Sequence, residues 1–264
     1  MAAADGPLPL AGLRVLITRP QEQAAAFAEA LARAGATPIV YPTIELAPPP
    51  SWQALDQALG RLSTYGWTIF TSPSAVTFTL DRCAALGIAP GAFAAVRIAA
   101  VGDQTALALR RRGLIVDLVP AADQQRQEGL VAGLLARSGD RPRSPARILF
   151  PQAVGGRELL RDQLVDAGYV VDVVPVSQTL PRALSDPPPA FDVATFASPS
   201  ALRAFVDRLG SERLALARVA VIGPTTAQAA ASLGVRVDAV PATPSVAALV
   251  EALIDLWRQI PDEP

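Results

Sequence analysis

Short apolar runs rich in β-branched residues recur along the chain, and most are followed by a longer stretch of helical periodicity. Leu13–Thr18, Thr37–Tyr41, Trp67–Phe70, Val96–Val101, Leu114–Val119, Arg147–Phe150, Tyr169–Val174, Asp192–Phe196, Arg218–Ile222 and Val235–Val240 read as buried strands. Between them, Gln21–Ala34 places Ala24, Phe27, Ala28 and Leu31 on one stripe, and Gly35 closes the helix. Further helices are expected over Trp52–Leu62, from Ser72-Pro73, through Leu107–Arg112, over Gln127–Arg137, from Gly155-Gly156 to Ala167, from Ser198-Pro199, from Thr225-Thr226 and over Val246–Trp257. A serine cap followed by proline in the first turn is a strong helix start. Strands alternating with helices predict parallel sheets covered on both faces.

The pattern repeats. Phe70-Thr71-Ser72-Pro73-Ser74-Ala75 returns as Phe196-Ala197-Ser198-Pro199-Ser200-Ala201, and Val101-Gly102-Asp103-Gln104-Thr105-Ala106 as Ile222-Gly223-Pro224-Thr225-Thr226-Ala227. Gly35 likewise matches Gly168, and Pro120 matches Pro241. Two proline-bearing segments, Pro42–Pro50 and the stretch after Val174, fit neither period and read as extended crossings. The opening βαβ unit precedes the first crossing, so it can join the last three strand–helix units. The βαβ from Arg147 to Val174 then completes the middle lobe. The expected architecture is α/β, with two doubly wound, flavodoxin-like lobes of five parallel strands each. Residues 1–42 with 182–264 form one lobe and 47–175 the other, and 43–46 and 176–181 form a two-stranded linker.

In such sheets the ligand site lies beyond the carboxyl ends of the strands, where all four repeated turns fall. Two facing lobes would bring them to one cleft. Gly102 and Gly223 each end a buried strand and open a helix, leaving backbone N–H groups free for an anion. Ser72, Ser74, Ser198, Thr105, Thr225 and Thr226 add hydroxyl donors at these turns. None has a partner base in the sequence, which favours binding over covalent catalysis. Arg19 follows a strand end directly and can meet a carboxylate bidentately, and Arg157 at a helix start is a second such arginine.

Composition narrows the chemistry. The chain has 264 residues, 51% of them hydrophobic, which supplies a core for each lobe. A net charge of −1 argues against a nucleic-acid surface. The 23 basic residues are all arginine, so any anion site must use guanidinium, hydroxyls or backbone N–H groups. With no histidine there is no histidine metal site, serine–histidine triad or histidine base. The single cysteine, Cys83, sits at helical spacing among apolar neighbours and reads as a core residue, in keeping with a reducing, cytoplasmic compartment. The first residues lack the pattern of a signal peptide, and no run approaches a membrane span. Neither glycine turn is a dinucleotide or P-loop motif, so no cofactor and no metal are expected. The residues describe a protein for a small, carboxylate-rich ligand.

Val15-Leu16-Ile17-Thr18-Arg19-Pro20, Phe70-Thr71-Ser72-Pro73-Ser74-Ala75-Val76, Val101-Gly102 with Thr105-Ala106, Gly156-Arg157-Glu158-Leu159, Phe196 with Ser198-Pro199-Ser200-Ala201, and Ile222-Gly223-Pro224-Thr225-Thr226-Ala227 stand in a specific order and spacing. Through them the chain resembles the uroporphyrinogen-III synthases over nearly its whole length. The resemblance implies a monomeric, cofactor-free enzyme that cyclises hydroxymethylbilane, losing water and inverting ring D through a spiro intermediate. It implies Thr71, Ser72, Thr105, Ser198, Thr225 and Thr226 as cleft residues. Two departures stand out. Ser177 occupies the place in the second crossing where the family commonly has a tyrosine that assists loss of hydroxide, and Gln152 stands where an arginine is common. The first departure keeps open a second reading, a non-catalytic tetrapyrrole-binding paralogue of the same fold.

Overall fold

A computed structural model describes residues 8–138, 146–184 and 186–259. The sequence readings at residues 1–7, across most of the loop after Ser138 and at the polar tail lie outside them. The strands are β1 (Arg14–Ile17), β2 (Thr37–Val40), β3 (Ile44–Ala47), β4 (Trp67–Phe70), β5 (Arg97–Ala100), β6 (Arg147–Ala153), β7 (Val170–Pro181), β8 (Val193–Phe196) and β9 (Arg218–Val221). The helices are α1 (Gln21–Arg33), α2 (Gln53–Leu59), α3 (Pro73–Ala85), α4 (Asp103–Arg111), α5 (Gln127–Ser138), α6 (Leu159–Asp166), α7 (Pro199–Leu209), α8 (Glu212–Ala215), α9 (Pro224–Ser232) and α10 (Val246–Arg258). They fall into two compact units, Met1–Leu46 with Thr179–Pro264, and Ala47–Gln178.

Unit 1 is built on a parallel sheet of order β2-β1-β8-β9. Side chains alternate between its faces, as the pleat requires. Val15, Ile17 and Val193 pack on one side with Phe27 and Leu31 of α1 and Leu249 and Leu253 of α10. Leu16, Ala194, Phe196 and Val221 pack on the other with Leu202 and Phe205 of α7 and Ala230 of α9. Burial of each large aliphatic side chain contributes about 1.5–3 kcal/mol, so the strands read as continuous apolar runs because both faces are covered.

Unit 2 has the parallel order β7-β6-β4-β5. Phe70, Ile98 and Leu149 face α2, α3 and α4, and Trp67, Ile69 and Phe150 face α5 and α6. The Ser-Pro starts are superposable in conformation. Ser72 (φ −157°, ψ 152°) and Ser198 (φ −158°, ψ 154°) are extended caps whose Oγ atoms accept from the N–H of Ala75 and Ala201.

Three expectations change. The fifth strand of each lobe is a single bridge, Leu118 to Ala99 and Ala239 to Ala220. The cause is the same in both units. The Asp117 carboxylate accepts the Ile98 N–H at 2.7 Å, and the Asp238 carboxylate the Val219 N–H at 2.8 Å, so a side chain takes a donor that a longer ladder would use. The run from Val170 does not stop before the crossing but continues as one strand to Pro181. The helix expected from Gly155 starts at Leu159, because Gly155 is left-handed at φ 72° and holds a turn. Among the described residues, no helix is long and apolar enough to cross a membrane.

The internal repeat also exposes a defect. Phe205 of α7 corresponds to Thr79 of α3, which is fully buried with its hydroxyl unpartnered. Thr79→Val keeps the shape and removes the orphan, so it is expected to stabilise unit 2 by about 1 kcal/mol, read from the denaturant midpoint.

At the amino-terminal edge of unit 2, Asp172 accepts from Tyr65 Oη (2.5 Å), Arg147 (2.7 Å) and Arg61 (3.0 Å). Burial pushes its carboxyl up, but the hydrogen bonds from Tyr65 and Arg147 and the two guanidinium charges outweigh this and hold it below the usual carboxylate range. A lowered folded-state value means the stabilisation is full above the unfolded-state pKa, near 4, and is lost as pH falls through the folded value. Asp172→Asn is therefore expected to lower the thermal midpoint at neutral pH and to flatten its fall in acid. A melting series from about pH 6 to about pH 2 checks both.

Candidate functional site

In unit 1 three adjacent parallel strands end at one edge. Thr18-Arg19-Pro20 follows β1, Ala197-Ser198-Pro199 follows β8, and Ile222-Gly223-Pro224-Thr225-Thr226 follows β9. Arg19 is half-buried, with its Nε shut from solvent and without a hydrogen-bond partner. Burial lowers its pKa, and among the described residues no carboxylate offsets that. A desolvated cation without a counter-ion is costly to keep.

Gly223 caps α9 in extended conformation (φ 178°), and a Cβ there would make only an ordinary 3.4 Å contact with Pro244. Space does not demand this glycine. Pro224 carries no N–H, and the Thr226 N–H turns back to the Gly223 carbonyl (3.1 Å). No side chain caps α9, so its positive end is open. Thr225 presents the exposed hydroxyl of this turn, whereas Thr226 is only 2% exposed and packs beneath it.

In unit 2, Thr71, Ser72 and Ser74 follow β4, and Gly102 and Thr105 follow β5, on the neighbouring strand. The Ser72 and Ser74 hydroxyls share a hydrogen bond of 3.0 Å. Thr105, like its counterpart Thr226, is buried. The Gly102 turn is closed in a way that Gly223 is not. Gln125 Oε1 accepts the Asp103 N–H (3.1 Å), and Gln125 Nε2 donates to the Asp103 carboxylate (2.8 Å). A side-chain amide and an acidic first-turn residue therefore already occupy the start of α4. Asp103 was legible as an acid in the first turn; Gln125 carried no signal, because a loop brings it back from across the unit.

After β6, Gln152 Nε2 donates to the Arg157 carbonyl at 2.9 Å. This bond braces the Gly155-Gly156 turn, and a Cβ on Gly156 would lie 2.3 Å from the same amide nitrogen. The exposed Arg157 follows. A cavity of about 300 Å³ lies here, lined by residues including Gln152, Gly156, Arg161 and Pro175. Arg161 pairs with Glu158 and Asp162, which offsets its charge.

Ser177 lies in β7 beside a register shift that pairs Gln152 with Pro175 but Ala153 with Ser177. It is 1% exposed, and its carbonyl accepts the Val154 N–H at 2.8 Å. The Cys83 thiol is buried and pushed up to about 11 by desolvation, which makes it a poor nucleophile. A cleft of about 610 Å³ in unit 1, lined by residues including Leu13, Asp192, Arg218 and Trp257, lies at the opposite, amino-terminal edge of the sheet. Among the described residues no group of three or more acidic or cysteine side chains is placed to hold a metal ion. The carboxyl edges thus offer hydroxyls, backbone N–H groups and one half-buried guanidinium. All are donors, suited to holding carboxylates.

The uroporphyrinogen-III synthase HemD family profile matches residues 25–251. The uroporphyrinogen-III synthase of Synechococcus elongatus is 30% identical over 233 residues, 83% of this chain and 85% of that protein. That of Chlorobaculum parvum is 29% identical over 239 residues, 86% and 92% of the two chains. In fold, the crystal structure of uroporphyrinogen-III synthetase from Helicobacter pylori covers 92% of this chain and 99% of its own, with a TM-score of 0.61 at 17% identity.

Proposed function

Since the chain belongs to the uroporphyrinogen-III synthase family, we propose that it cyclises hydroxymethylbilane to uroporphyrinogen III. Overall, the hydroxymethyl carbon bonds to the bridged α-carbon of ring D as its carbon–oxygen bond breaks, the existing bridge moves to the other α-carbon of ring D, and the proton lost there leaves with the hydroxide as water. It balances without a co-reactant. The substrate is a flexible chain bearing eight carboxylates and is already reactive, so the enzyme's task is to hold one fold of it. That is catalysis by positioning, aided by donors aimed at charge that develops as hydroxide departs.

The observation that supports this most is Arg19, a half-buried guanidinium with an unpartnered Nε on the strand edge that also carries Ser198 and Thr225. A substrate carboxylate supplies the missing anion. Within unit 1 the Arg19 and Gly223 turns are the charge-binding ones; within unit 2 Gln125 and Asp103 close the α4 turn, and Thr71, Ser72 and Ser74 offer neutral donors. The same proposal has the chain acting as a monomer in the cytoplasm, a reducing compartment that suits a lone buried thiol.

The test is an isomer assay. Fresh hydroxymethylbilane is supplied with and without the protein, the products are oxidised, and uroporphyrins I and III are separated. Predominant isomer III is expected; isomer I alone, at the uncatalysed rate, would overturn the proposal. Ser177→Ala is expected to keep kcat within about threefold, because a serine hydroxyl is too weak an acid to stand in for tyrosine in general acid catalysis.

A further inference from the structure

Three threonines of unit 1 bury their hydroxyls just beneath the Arg19 and Ser198 turns: Thr18 (0% exposed), Thr43 (1%) and Thr195 (1%). Each hydroxyl donates to a backbone carbonyl, but the bonds do different things. The Thr195 hydroxyl reaches Leu16 O at 2.7 Å and only ties β8 to β1 within the sheet. The Thr18 hydroxyl reaches Thr195 O at 2.8 Å and fixes the residue immediately before Arg19 against β8.

Thr43 joins the two turns. Its N–H donates to Thr18 O at 3.2 Å, extending the β1–β2 pairing past the strand ends. Its hydroxyl donates to Ala201 O at 2.8 Å. Ala201 is also the residue whose N–H is capped by Ser198 Oγ, at 3.2 Å. One residue therefore grips the base of the Arg19 turn with its backbone and the first turn of the Ser198 helix with its side chain.

We propose that Thr43 is a positioning residue, which sets the spacing between the Arg19 guanidinium and the Ser198 hydroxyl and so the fit of the substrate's carboxylates. The inference rests on the reading of Arg19 and Ser198 as carboxylate donors. A purely structural role predicts no change in KM on loss of the hydroxyl. Ala201 O lies in the first turn of α7, where the helix ladder satisfies it as well, so Thr43→Val strands no buried group. A positioning role predicts weaker substrate binding, since small displacements of a binding group carry large kinetic penalties.

The experiment compares steady-state kinetics on hydroxymethylbilane for T43V, T43S, T195V and R19M. T43V is expected to raise KM roughly tenfold with kcat within about twofold. T43S, which keeps the hydroxyl, is expected to match the parent in both. T195V, which loses an equally buried hydroxyl that touches neither turn, is expected to change the thermal midpoint and leave KM alone. Equal KM for T43V and T195V, with R19M raised, overturns the inference while leaving the carboxylate reading intact. An unchanged KM in R19M overturns that reading itself. Should T43V not fold, T43A against T43S makes the same comparison.

Discussion

Replacing Arg19 by methionine is expected to lower kcat/KM for hydroxymethylbilane about 10- to 150-fold, the span of one charge-assisted hydrogen bond worth about 1.5–3 kcal/mol. The same change is expected to stabilise the folded chain. The Arg19 Nε is buried without a partner, and desolvation lowers the pKa of the half-buried guanidinium, so the folded state carries part of the cost of desolvating that cation until ligand arrives. Methionine fills a similar volume with no charge to desolvate. A gain of about 1 kcal/mol, seen as a higher thermal midpoint, is the expected sign of a site that trades stability for binding. An arginine kept for packing or for an internal ion pair gives the reverse pattern, lost stability with preserved kinetics. Lysine does not restore the site, because it cannot present two parallel N–H donors to one carboxylate.

The second large effect is on stability. Phe205 is fully buried in unit 1 and meets Phe196 edge to face at a centroid distance of 5.5 Å, and Phe191 at 6.4 Å. Phe205→Ala opens a cavity and removes both aromatic contacts, and is expected to cost about 3–5 kcal/mol. Phe196 is the last residue of β8, two before Ser198, so the void lies under the turn that presents that hydroxyl. Denaturant unfolding followed by near-ultraviolet circular dichroism reads the loss; a drop below about 1 kcal/mol would show that the core closes over the gap.

The strands of both units were legible because parallel strands buried on two faces are apolar without interruption, as in Val15-Leu16-Ile17 and Val219-Ala220-Val221. The Ser-Pro helix starts were legible because the cap and the first-turn proline are local chemistry. The edge strands were not. Leu114–Val119 and Val235–Val240 have strand composition, but Asp117 and Asp238 turn their carboxylates back on the preceding strand. Composition gives no hint of that tertiary choice. The same limit applies at the site. Sequence places Gly102 and Gly223 in equivalent turns, and only the fold shows Gln125 seated on one of them. Thr43 looked like an unremarkable linker residue, because its hydroxyl partner lies far along the chain at Ala201.

The split of unit 1 around unit 2 also bears on synthesis. When β1, α1 and β2 leave the ribosome, the strands that complete their sheet, β8 and β9, do not yet exist. All of Ala47–Gln178 must be made first, a delay on the order of ten seconds at typical elongation rates. Through that interval Val15, Leu16 and Ile17 line an unpaired strand edge, the kind of surface that nucleates wrong pairing. Unit 2 has all its central strands in one stretch and is free to fold at once. The nascent chain thus carries a complete middle unit while β1 still waits for β8.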